Sequence, residues 1–239
     1  MCTLTIKTLY TSLHSINIKL KPSQALIKLV KHRMIISDKK QFIFVHIPKT
    51  AGSSIQSALS EYQIEKPRSK ASRLLRHFNL PNDYHQFRFT LHSTLADAQR
   101  KMPSTVFQQF KKVAFVRNPW DRMVSSYAYK IHGTAEKKRS RDDDFETFLH
   151  AEFKRKKIQQ CEYLQNVDGE IDCDFIGRFE TLADDYQRLG EILDIKLPTL
   201  PTLNKSKSRS DYRNYYNDNT KSLIQKHYQN DIDIFGYSF

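Results

Sequence analysis

Two stretches of this chain share one design, and the repetition constrains the fold more than any other feature. In the first, the apolar run Phe42-Ile43-Phe44-Val45-His46-Ile47 ends at Pro48, and Lys49-Thr50-Ala51-Gly52-Ser53-Ser54 leads into Ile55-Gln56-Ser57-Ala58-Leu59. In the second, Val113-Ala114-Phe115-Val116 ends at Arg117, Pro119 restarts the chain, and a helical pattern carries Ser125. A short apolar run closed by a turn and followed by helical spacing reads as a buried strand feeding a helix. Strands alternating with helices predict an α/β fold, with a central, mainly parallel sheet flanked by helices. Right-handed crossovers then put the ligand crevice at the carboxyl ends of the strands.

The residues at those two strand ends suit an anion. A helix start offers backbone N–H groups without intrahelical partners and the positive end of the helix dipole. Lys49 adds a mobile point charge there, and the neighbouring hydroxyls add donors. Pro119 fits the first turn of a helix, where its missing N–H costs nothing. Arg117, by a fork of donors, and Ser125, about two turns into the helix, can converge on one further anion. Two anion sites imply a ligand phosphorylated at two places. The first loop is not a Walker A sequence, which needs two glycines with the lysine after the second, whereas here Lys49 precedes Gly52. Taken alone, this segment also admits the plainer reading of an ordinary strand-turn-helix with Lys49 a solvated surface charge.

Pro48 to Ser54 together with Arg117-Asn118-Pro119-Trp120-Asp121-Arg122-Met123-Val124-Ser125-Ser126-Tyr127 resembles the sulfotransferases that use 3′-phosphoadenosine 5′-phosphosulfate (PAPS). The likeness is to their carbohydrate branch, the heparan and chondroitin sulfotransferases, in a soluble bacterial type. Asp174 to Glu180, Leu203 to Ser206 and Asp231 to Phe239 are similar to later segments of that family. The resemblance implies a single P-loop-like sulfotransferase domain over 41–239; it leaves the first 40 residues unmatched, and these read as an N-terminal extension whose helical spacing over 23–36 suits a packing helix. It implies that Lys49, Thr50, Ala51, Gly52, Ser53 and Ser54 grip the 5′-phosphosulfate, and that Arg117 and Ser125 take the 3′-phosphate. Lys205 and Ser206 resemble the late basic loop that closes over the nucleotide. PAPS is then the sulfuryl donor, no metal is needed, and the acceptor is a hydroxyl, most readily on a carbohydrate.

Sulfuryl transfer needs charge neutralised on the departing bridge oxygen, which suits Lys49, and a proton taken from the acceptor hydroxyl, which suits His92. His92 follows an alternating run, Phe87-Arg88-Phe89-Thr90-Leu91, that reads as a strand. On spacing alone a single histidine there is more often structural; the resemblance raises it, because this branch places its base after the strand that follows the first loop. His46 precedes the loop and reads as a core residue, with His85 the weaker competitor. Lys49, His92 and Arg117 each follow a predicted strand, so one edge of one sheet holds all three. The sequence leaves open whether Trp120 stacks on adenine or anchors the core, and whether Arg178 and Glu180 form a structural ion pair.

Composition narrows the partners. A formal net charge of +13, from 39 Lys and Arg against 26 Asp and Glu, favours anionic ligands by long-range attraction. A nucleic-acid-binding module would also explain that charge, but no helix-turn-helix, RNP-type or finger motif accompanies it. A nucleotide kinase would explain a phosphate loop, but no Walker lysine and no Mg²⁺-binding partner is evident. Three cysteines without a C-x-x-C give neither a disulfide framework nor a zinc finger, and the nine histidines show no metal-ligand spacing. No run of 18 apolar residues exists, and Lys7, Lys19 and Lys21 interrupt the amino terminus, so the expectation is a soluble, cytoplasmic protein with reduced thiols. Oligomeric state is silent.

Helical spacing further predicts helices over 23–36, 53–62, 120–131, 145–153, 181–193 and 219–234 and one opened by His92, with Thr181 to Asp184 a capping-box-like start. Strands are expected over 41–47, 113–116 and 175–179. Fifteen Phe and twelve Tyr predict a core rich in aromatic rings.

Overall fold

Phe42 and Phe44 point to one side of a strand and Ile43 and Val45 to the other, so this run must be covered on both faces. In a computed structural model, which describes residues 33–63, 89–132, 144–155, 158–200 and 211–239, it is. One sheet has the order β1 (Ile35–Ser37), β2 (Phe42–Val45), β3 (Lys111–Val116), β4 (Phe175–Arg178). β1 folds back antiparallel on β2, with Ile35 opposite Phe44. β2, β3 and β4 run parallel, with Val45 opposite Ala114 and Val116 opposite Arg178. The α/β class and the largely parallel sheet are as the sequence predicts.

Among the described residues the α-helices are α1 (Gly52–Leu59), α2 (Leu95–Lys101), α3 (Ser104–Gln109), α4 (Pro119–His132), α5 (Phe145–Phe153), α6 (Gln160–Leu164), α7 (Leu182–Leu193), α8 (Asp218–His227) and α9 (Gln229–Phe235). On the aromatic face, Phe42, Phe44, Phe115 and Phe175 pack with Ile55 and Leu59 of α1 and Leu189 and Leu193 of α7. On the opposite face, Ile43, Val45, Ala114 and Val116 pack with residues of α2, α3 and α6, among them Leu95, Phe107 and Leu164. A third cluster joins α4, α5, α8 and α9 through Trp120, Phe148, Leu149, Ile224 and Ile232, with Tyr228 between the last two helices. Gly177 of β4 lies opposite Phe115, and a Cβ there would stand 2.5 Å from that ring. The sheet needs glycine at this place to seat the phenylalanine.

Several expectations are corrected. Residues 35 and 36 belong to β1, not to the end of a helix over 23–36, because β-branched Ile35 and Ile36 pair with β2 across a tight reversal at Asp38–Gln41; residues 23–32 lie outside the described ones. Phe89, Thr90 and Leu91 are not strand: Ser93 N–H donates to the Thr90 carbonyl in a turn, and Met34 N–H reaches the same carbonyl at 2.9 Å. Phe87 and Arg88 fall outside the described residues. The helix beyond starts at Leu95 rather than at His92, because Thr94 and Asp97 form a reciprocal capping box. Thr181 precedes α7 without a side-chain cap; its hydroxyl donates instead to Asp185 at 2.7 Å. The helix expected over 219–234 is two, α8 and α9, broken at buried Tyr228. Helices α3 and α6 were not expected at all, being only six and five residues long.

Candidate active site

Because β2, β3 and β4 are parallel, the residues that follow them emerge at one edge. Lys49 comes after β2, Arg117 after β3, and Phe179 and Glu180 after β4. Arg117 joins all three. Its Nη1 donates to the Lys49 carbonyl at 3.0 Å, its Nε and Nη2 both reach Asp121 Oδ2 at 2.7 Å, and its guanidinium lies 3.6 Å from the centre of the Phe179 ring. The residue is only 5% exposed, so this charge-assisted pair is well shielded from water. Gln160 fixes the Arg117 backbone from behind, accepting from its N–H at 3.0 Å and donating to its carbonyl at 2.8 Å. Gln160 is anchored in turn by fully buried Asp231, whose carboxylate accepts from the N–H groups of Gln160 and Cys161 and lies 3.5 Å from Arg122.

The first loop has an unusual backbone. Lys49 and Ala51 both have positive φ, 72° and 65°, with Thr50 between them outside that region. Left-handed geometry at a residue with a side chain costs about 1–2 kcal/mol each, and it persists only where the surroundings enforce it. Here Arg117 holds the Lys49 carbonyl, and the Thr50 hydroxyl donates to the Ile47 carbonyl at 3.0 Å. Left-handed residues are a mark of the turns whose backbone N–H groups bind anions, and this turn is a candidate concavity of that kind. The concavity runs straight into α1, whose first N–H groups, at Gly52 and Ser53, have no carbonyl a turn earlier on the helix to receive them. This donor set fits a phosphate or sulfate ester. Thr50 and Ser54 are buried and Ser53 is exposed, so of the three hydroxyls Ser53 is the one presented outward.

Gly52 is demanded by what lies beneath it. A Cβ would overlap the Cδ2 and Nε2 atoms of the His46 ring, with Cγ at 3.0 Å. His46 is pinned: its Nδ1 is 2.7 Å from Gln56 Oε1, while Gln56 Nε2 donates to the Arg33 carbonyl at 2.7 Å. A carbonyl accepts only, so the Gln56 amide is oriented and the proton sits on His46 Nδ1. Burial drives the His46 pKa down to about 4, outweighing the hydrogen bond to Gln56, and the ring is neutral. His46 is the core residue its sequence position suggests.

His92 reaches the same loop from the α2 side. Its Nδ1 lies 2.9 Å from the His46 carbonyl oxygen, and the two imidazoles meet edge to face at 5.1 Å. In the neutral ring this bond places the proton on Nδ1 and leaves exposed His92 with Nε2 as its basic nitrogen.

Ser125 lies on α4 between Asp121 and Tyr129, one turn from each and on the same strip of the helix. Arg117 binds Asp121, and the Lys49 ammonium lies 3.9 Å from the centre of the Tyr129 ring. That strip therefore faces the first loop. Lys205 and Ser206, like His85, lie outside the described residues. Glu180 accepts from Asn118 N–H at 2.7 Å and from the Tyr237 hydroxyl at 3.2 Å, whereas Arg178 donates to the Phe235 carbonyl at 2.6 Å. Both residues tie the second loop and the strand beside it to the last residues of the chain. Trp120 is 3% exposed, packs edge to face on Phe239 and donates its indole N–H to the Lys221 carbonyl, which makes it a core anchor. Burial pushes the Cys161 and Cys173 thiols up to about 12, so neither is a nucleophile at neutral pH. Of the bracing residues, Asp121 follows Arg117 at helical spacing and Asp231 opens a family-like segment, whereas Gln56 and Gln160 carry no local sequence signal, since their partners lie on other elements.

A family model described as the sulfotransferase family matches residues 32–238. Neither the curated proteins nor the solved structures yielded a match to the chain.

Proposed function

The chain belongs to the sulfotransferase family, and from that premise we propose that it moves the sulfuryl group of PAPS to a hydroxyl of a carbohydrate. The reading takes the sheet, β1 included, and the helices packed on it as one P-loop-like catalytic domain, with the residues ahead of β1 as an extension to it, working in the cytoplasm without a metal. No described helix is long and apolar enough to cross a membrane. The observation that carries the proposal is the bond between the two loops, Arg117 Nη1 to the Lys49 carbonyl, which draws two anion-suited strand ends together.

When bound, the nucleotide supplies an activated sulfuryl group on a phosphate oxygen. The N–H groups of Ala51, Gly52 and Ser53, with the Ser53 hydroxyl, would hold the 5′ end; Ser125 and the Arg117 guanidinium would hold the 3′-phosphate, with Lys205 and Ser206 as further nucleotide-binding residues. His92 Nε2 takes the acceptor's proton as the acceptor oxygen bonds to sulfur. The Lys49 ammonium would meet the charge that develops on the phosphate oxygen as the sulfuryl group leaves it. An interaction that strengthens as charge develops raises turnover rather than ground-state affinity alone.

The test is calorimetric titration with adenosine 3′,5′-bisphosphate in the presence of EDTA, followed by incubation with sulfur-labelled PAPS and a panel of glycans, lipids and phenols. Binding without metal and label on a glycan are expected. Absence of nucleotide binding would remove the proposal, and label confined to phenols would remove its carbohydrate part.

A further inference from the structure

Tyr129 is 63% exposed, a large aromatic ring left in water on α4, three turns into the helix. Its face is not idle: the Lys49 ammonium sits 3.9 Å from the ring centre. The same lysine has its backbone held by Arg117 and its φ in the left-handed region, so the loop fixes where its side chain starts and the ring meets its far end. We propose that Tyr129 is a positioning residue that holds the Lys49 ammonium against α4 until an anion occupies the first loop; this rests on the reading of that loop as the phosphosulfate site.

Relative strengths decide the direction of the effect. A cation over an exposed ring is attracted only weakly, by a factor of about 2–5 in an equilibrium. A dianion seated on the N–H groups of Ala51 to Ser53 attracts the same ammonium several times more strongly at contact distance, even in a partly solvated site. The ring therefore holds Lys49 in the empty enzyme and releases it to the ligand. A competent state populated only in part lowers the apparent affinity by that fraction. The device keeps the lysine extended across the crevice rather than folded along its own loop.

The test uses three forms of the full chain: wild type, Tyr129→Phe, which keeps the aromatic face, and Tyr129→Leu, which removes it. Because the ring is exposed, both variants are expected to fold like the wild type. Reductive ¹³C-methylation gives each lysine an NMR signal, and Lys49→Arg identifies that of Lys49. An upfield ring-current displacement is expected in wild type and Tyr129→Phe, absent in Tyr129→Leu, and lost from the first two on saturation with adenosine 3′,5′-bisphosphate. Calorimetry on unmethylated protein should show Tyr129→Leu binding that nucleotide about 2–5-fold more tightly, with Tyr129→Phe unchanged. A Lys49 signal that is the same in Tyr129→Leu as in wild type, or weaker nucleotide binding by Tyr129→Leu, would overturn the holding role. Wild type that fails to bind the nucleotide sinks the proposed function instead, and the ring-current displacement in the empty protein then decides the holding role by itself.

Discussion

Replacing Gly52 by alanine adds one methyl group where the His46 ring already stands. The new Cβ would lie well inside contact distance of Cδ2 and Nε2, and an ordinary contact needs the ring to retreat by roughly 1 Å. The ring has little room to do so, being 4% exposed, bonded to Gln56 at 2.7 Å, and flanked by Phe44 at 6.2 Å and His92 at 5.1 Å. Overpacking of this kind costs about 1–3 kcal/mol. If the ring leaves Gln56, an unmet buried amide adds about 1–3 kcal/mol. Removing a glycine from a helix returns at most about 1 kcal/mol. The net is a loss of about 1–5 kcal/mol, which for a chain of this size lowers Tm by roughly 2–20 °C. Urea unfolding of Gly52→Ala beside Ser53→Ala, whose side chain is exposed, measures it directly. NMR titration of His46 supplies the structural readout, because a displaced ring regains water and its pKa rises from about 4. A Gly52→Ala protein as stable as Ser53→Ala, with the His46 titration unmoved, would refute the claim that His46 forms the floor of the loop.

Three further outcomes are expected. His46 has a folded pKa of about 4 against 6.5 when unfolded, so its stabilising contribution is full above pH 6.5 and is lost as pH falls toward 4, since only the unfolded chain binds the proton there. The loss reaches about 3 kcal/mol, read from urea midpoints across that window, and its pH slope should be missing in His46→Asn. Arg117→Ala should weaken adenosine 3′,5′-bisphosphate binding by about 1.5–3 kcal/mol and lower stability as well, because Asp121 and the Lys49 carbonyl lose their shared partner; normal affinity by calorimetry would break the assignment. His92→Ala should lose about 10²–10⁴ in turnover with nucleotide affinity unchanged, and a folded variant that kept its rate would move the base to another residue.

The local chemistry of the two loops was legible in the sequence because it rests on neighbours. Phe42 to Val45 and Val113 to Val116 are strands since their apolar runs have strand length, and Pro119 opens α4 since its ring suits a first turn. The α/β class follows from the same alternation. What spacing could not supply is everything made by residues far apart. The Arg117 bond to the Lys49 carbonyl spans 68 positions and that of His92 to the His46 carbonyl spans 46. Only the parallel register of β2, β3 and β4 brings the first pair together, and only the turn at Thr90 to Ser93 presents the second. That turn reads as a strand in sequence because Phe89 alternates with polar neighbours; in the fold, Phe89 is buried and the backbone bonds to Met34 instead. Gly52 was visible as a glycine, but the reason for it, the His46 ring beneath, is a contact between a strand and the helix that follows it, and such contacts exist only once the chain has closed on itself.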